Sequence, residues 1–138
     1  MATVIRAEIS EKNKYWISKH RHYELKHFCL QYPTWKKSYT ELDSLGKRGD
    51  DSVYFRVNTP SDPTSKCVEM RSVYLERMDL VRRIAFEADP DLASYIFRAV
   101  TEGLSYTYLK TKLAIPCGKD MYYDRYRRFF WLLSEARN

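Results

Sequence analysis

The sequence predicts an all-α protein on three observations. Four glycines and five prolines in 138 residues are too few to turn a sandwich of many short strands. Apolar residues recur three and four positions apart over long stretches, the spacing of one helix face. Residues that start and stop helices punctuate those stretches. The expected order is an N-terminal helical region over 1–46, a linker over 47–65, and a helical region over 66–138 that ends in a helix-turn-helix.

The first element is SKHRHYELKHFCLQYP, with Ser18 as N-cap, Tyr23, Phe28 and Leu30 on one face, and Pro33 as the stop. Thr34 is placed to cap a second helix, TWKKSYTELDSL, whose Trp35, Tyr39 and Leu42 share a side and which Gly46 closes. Both carry basic residues: Lys19, Arg21, Lys26, Lys36 and Lys37. These lysines either touch phosphates or solvate a surface over packed rings. KRGDDSVYFRVNTPSDPTS reads as the linker, with VYFRV able to form one short strand.

A long helix begins at Asp62-Pro63-Thr64 and runs to about Glu87, with Val68, Val73, Tyr74, Leu75, Val81 and Ile84 as its apolar set. Asp89-Pro90 restarts the chain as N-cap and first helical residue of DPDLASYIFRAVTEG, which buries Leu92, Tyr95, Ile96, Ala99 and Val100 and ends at Gly103.

The last 35 residues have the layout of a helix-turn-helix. Ser105 caps a short helix with Leu109 and Leu113 facing inward; Ile115 plugs the turn, and Pro116 forbids the first helix from continuing. On the final helix, Tyr122, Tyr126, Phe129, Phe130 and Leu133 fall on one arc at about 100° per residue. The opposite arc holds Asp120, Asp124, Arg127, Arg128 and Trp131, with Tyr123 and Arg125 on its flanks. Trp131 is placed either for a dimer contact or for packing under the N-terminal helices.

Charge supports an anionic partner. The chain has net charge +6 and pI near 9.2. Residues 11–48 hold nine basic against four acidic side chains, 49–104 seven against ten, and 105–138 seven against three, so positive charge collects toward the two ends. A major groove admits a helix, base edges demand hydrogen-bonding side chains, and phosphates reward positive charge. Lys119, Asp120, Tyr123, Asp124, Arg127 and Arg128 are therefore expected to face the groove, with Lys110, Lys112 and Arg125 on the DNA backbone. Double-stranded DNA is the expected partner.

Other chemistry is weakly signalled. Cys29, Cys67 and Cys117 are far apart and odd in number, which predicts reduced thiols, no zinc site and a cytoplasmic protein. No apolar run has the length of a signal peptide or a membrane span. His20, His22, His27 and Cys29 lack a carboxylate partner for a metal site. Cys117, near a helix start and Lys119, has a setting that could lower its thiol pKa, but no base accompanies it. No nucleophile elbow, Walker loop or HExxH motif is present, so neither an enzyme nor a cofactor is expected.

The runs DPT…ERMDLVRRIAFEAD, VTEGLSYTYL and IPCGKDMYYDRYRRFFWLL together resemble phage and prophage late transcription regulators of the RinA and ArpU kind, over about the last 75 residues. The resemblance implies a helix-turn-helix like that of sigma-factor region four, binding promoter or operator DNA to activate late phage genes. It places the turn at Ala114 to Gly118 and the start of the recognition helix near Cys117. Cys117 and Gly118 depart from the family pattern, which has serine or a second basic residue there. The acidic Glu69, Glu76, Asp79 and Glu87 form a solvated face or a docking site for RNA polymerase or a second copy of the chain. Alternatives are a phage-encoded interaction module, inhibitor or adaptor, and a small terminase-like DNA-packaging subunit.

Overall fold

The computed structural model describes residues 11–42 and 63–138, and every regular element among them is a helix. In chain order they are α1 (Lys19–Leu30), α2 (32–42), α3 (Pro63–Ala88), α4 (Ala93–Glu102), α5 (Tyr106–Lys112) and α6 (Lys119–Ala136). The expected linker and the VYFRV stretch lie outside the described residues, apart from the linker's last three, which open α3.

The helices divide into two compact units. One holds α1, the part of α3 from Leu80 onward, α4, α5 and α6; the other holds α2 and α3 through Asp79.

In the larger unit α1 packs on α4 and α6, and α4 on α5 and α6. Ser18 caps α1 as expected, its Oγ accepting from the Arg21 amide at 3.3 Å. The buried face of α1 differs from the expected one: His22, Leu25, Phe28 and Cys29 point inward, whereas Tyr23 and Leu30 are half-buried. The reason is His22, polar by hydropathy, which completes the inward stripe by placing its ring edge-on to Phe130 with centroids 4.8 Å apart. Arg21 ties α1 to α6, donating through Nε to Ser134 Oγ and through Nη2 to the Ser134 carbonyl, both at 3.1 Å.

Val81, Ile84, Ala85 and Ala88 of α3 are buried, at the spacing of one helix face. The apolar set expected at the start of α3 is not: Val68, Val73 and Leu75 are exposed. β-Branched and leucine side chains there satisfy a spacing rule but stay exposed.

The following helix also begins later than expected. Pro90, Asp91 and Leu92 form a turn, and α4 starts at Ala93 with Leu92 as N-cap. Asp89 caps this turn, its Oδ1 accepting from the Asp91 and Leu92 amides at 2.9 and 3.3 Å. The Leu92 amide also bonds to the Asp89 carbonyl, an i→i+3 bond tighter than an α-helical one. Gly103 closes α4 at φ 73°, where a side chain would be strained.

In the smaller unit α2 is already helical at residue 32, so Pro33 lies in its first turn and Thr34 is not its cap. Proline is tolerated there because first-turn amides have no helical acceptor. Trp35 is buried, with the Tyr32 ring 6.2 Å from its own and the Arg77 guanidinium 5.9 Å from its centroid. Arg71 stands 5.4 Å from the Tyr39 ring.

Candidate nucleic-acid interface

The α5–turn–α6 segment is built from its buried side outward. Ser105 Oγ accepts from the Tyr108 amide at 3.2 Å and sets the start of α5. Leu109 is fully buried and Leu113 half-buried. Ala114 then adopts φ 52°, which turns the chain so that the Ile115 amide reaches back to the Leu109 carbonyl at 3.0 Å. Ile115, 1% exposed, is the plug of the turn. Tyr106 donates its hydroxyl to the Cys117 carbonyl at 2.8 Å and fastens the far end of the turn to the start of α5.

The second helix starts at Lys119, two residues beyond the expected position, with Gly118 as N-cap and no side-chain cap bond. Cys117 is therefore outside the helix. Its thiol is pushed up by burial, against a smaller lowering by Lys110, so the lowered pKa considered for it does not occur.

Tyr122, Tyr126, Phe129, Phe130 and Leu133 of α6 are all buried, as their arc predicts. Tyr123 joins them, 6% exposed, with its ring 5.1 Å from Tyr122 and 6.0 Å from Tyr126. It does not face a groove. The extended tyrosine cluster takes it in because Tyr106 also packs there, 6.4 Å away. Burial pushes the Tyr122 and Tyr126 hydroxyls well above the usual phenolic range.

Arg125, expected on the DNA backbone, is engaged within the unit. Its Nε donates to Asp89 Oδ2 at 2.9 Å and its Nη1 to Asp124 Oδ2, and the bond to Asp89 is the main cause of its raised pKa. Asp89 thus uses one carboxylate oxygen to cap the turn before α4 and the other to hold α6. The cap signal at Asp89-Pro90 was legible, but the pairing across 36 residues was not.

The remaining expected residues divide into two groups. Lys110, Lys112, Lys119 and Asp120 are exposed around the turn and the first turn of α6. Arg127 and Arg128 are half-buried, and Arg127 Nε is buried without a hydrogen-bond partner. Trp131 is half-buried and packs against Tyr15, ring centroids 5.9 Å apart. Met121, which hydropathy assigns to the interior, is 45% exposed beside Asp120.

Near α1, His22 is buried in rings while His20 and His27 are exposed. Cys29 is fully buried, and burial pushes its thiol up to about 12. A pocket of about 100 Å³ lies between Lys26, Gly103, Ser105 and Tyr126, smaller than the roughly 300 Å³ at which small-molecule clefts begin. Among the described residues no helix is long and apolar enough to cross a membrane.

The outer surface of this segment therefore offers three lysines around the start of an 18-residue helix. A Cβ on Gly118 would meet nothing within 4 Å, so no group crowds that start. Partial positive charge of the helix terminus adds to that of the lysines. Comparison with protein-family models, curated proteins and solved structures finds no match.

Proposed function

We propose that this protein is a sequence-specific double-stranded-DNA-binding regulator of transcription that presents the first turn of α6 to a major groove. One observation carries the reading: Lys110, Lys112 and Lys119 are each exposed, the first two on a short helix and the third, past a plugged turn, at the start of a longer helix whose opposite side is buried. In such a geometry α5 lies across the backbone while the start of α6 meets base edges. Lys110 and Lys112 pair with phosphates. Lys119 and Asp120 reach the groove, and Asp120 accepts from an exocyclic amine of cytosine or adenine. Arg128, on the outward arc, follows one turn or more behind. Arg125 serves as a strut.

The finer reading, activation of phage or prophage late genes, rests on the sequence resemblance. The exposed Glu69, Glu76 and Asp79 of α3, all in the smaller unit, are the surface offered to RNA polymerase. The exposed Val68, Val73 and Leu75 beside them favour a second reading, a module whose main partner is another protein.

The test is titration of random duplex DNA by fluorescence anisotropy across a range of salt. Binding that weakens steeply with salt is expected, and Lys110→Ala and Lys112→Ala should each flatten the log–log slope by about one. No binding at low salt would overturn the reading in favour of the protein-partner module.

A further inference from the structure

Every large apolar side chain of α6 is buried or half-buried except Met121. Its neighbours along the helix surface, at i+3, i+4 and i+7, are Asp124, Arg125 and Arg128, and Asp120 precedes it in the chain. At 45% exposed, Met121 leaves much of its apolar surface outside the core. In the groove-facing turn it meets what the charged neighbours do not satisfy. The one apolar group on a major-groove edge is the C5-methyl of thymine.

We infer that Met121 is a specificity-determining residue that covers a thymine methyl, so that the site bound by this chain contains a thymine whose methyl is required. This rests on the reading of α6 as the helix in the groove. Methionine suits the task because its unbranched, polarisable thioether adapts to a small apolar target without a fixed rotamer. Asp120, one residue earlier, accepts from an exocyclic amine, and an A·T pair displays both an amine and the methyl on its major-groove edge. The two side chains lie about 100° apart around the helix, a separation that lets them read one pair or two adjacent pairs.

The experiment selects bound duplexes from a random library with the full chain. Each thymine of the enriched duplex is then replaced, one at a time, by deoxyuridine, which lacks only the methyl. Affinity should fall about three- to five-fold at one position, the scale of one buried methyl. Met121→Ala should bind the thymine and uracil duplexes equally, with unchanged circular dichroism and melting, and Met121→Leu should retain the preference. An enriched site with no uracil-sensitive thymine, or a Met121→Ala chain with the preference intact, overturns the assignment and leaves the DNA reading standing. A selection that enriches nothing overturns both.

Discussion

Asp89 holds the α6 helix through Arg125 and shapes the entry to α4 with the same carboxylate, so its substitutions should separate two energies. The side chain is 10% exposed, and Arg125 is 31% exposed. A hydrogen bond to a charged group contributes about 1.5–3 kcal/mol when sheltered, and solvent screening at a partly exposed arginine reduces that to about 1–2 kcal/mol. The cap on the Asp91 and Leu92 amides adds about 1 kcal/mol. Arg125→Ala should therefore lower unfolding free energy by about 1–2 kcal/mol. Asp89→Ala should cost about 2–3 kcal/mol. Asp89→Asn, which keeps an oxygen for the cap, should cost about 1–2 kcal/mol. Urea unfolding followed by circular dichroism at 222 nm measures each, and the double variant gives a coupling of about 1 kcal/mol. A coupling near zero would show that the 2.9 Å contact contributes nothing in solution; equal costs for Asp89→Asn and Asp89→Ala would remove the cap from the account.

Two further outcomes follow from other parts of the chain. Ala114→Gly should raise the melting temperature, because a left-handed backbone costs a non-glycine residue about 1–2 kcal/mol and glycine's added chain entropy returns only about half of that; a lower melting temperature would refute the strain. Raising pH should destabilise the fold from about pH 9: unfolded chains release the Cys29 proton there, whereas the folded thiol keeps it to about 12, so the stabilisation present below pH 9 is lost as pH rises toward 12. One thiol contributes about 1.4 kcal/mol per pH unit over that window. Cys29→Ala should flatten the slope between pH 9 and 10 in equilibrium unfolding, and an unchanged slope would place the titration elsewhere.

How much of the fold was legible follows from which signals are local. Ser18 and Ser105 cap their helices because a hydroxyl beside its own first-turn amides needs no distant partner. Gly103 and Ile115 are equally local, one fixed by backbone sterics and the other by the apolar gap between adjacent helices. Periodicity succeeded on α6, where five aromatic or leucine anchors define the arc. It failed at the start of α3: Val68, Val73 and Leu75 have the residue types of a buried face, and nothing in the residues themselves says whether another element lies opposite. It also failed at His22, since hydropathy counts the imidazole as polar although its ring packs as an aromatic.

The candidate interface shows the same division at the level of charge. Counting basic residues gave seven between 105 and 138, yet those side chains do different work. Arg125 is a strut to Asp89 and Asp124, Arg137 lies 3.7 Å from the centre of the Phe28 ring, and Arg127 is partly buried. Only pairing across long separations sorts them, and a sequence window does not contain it. Arginine is the cation more often recruited inward, since its weakly hydrated planar group stacks on rings and forks onto carboxylates, whereas a lysine ammonium holds its water. The three lysines around the turn remain exposed for that reason. Electrostatic attraction to a phosphate backbone should accordingly follow Lys110, Lys112 and Lys119 more closely than the arginine-rich stretch that first suggests it.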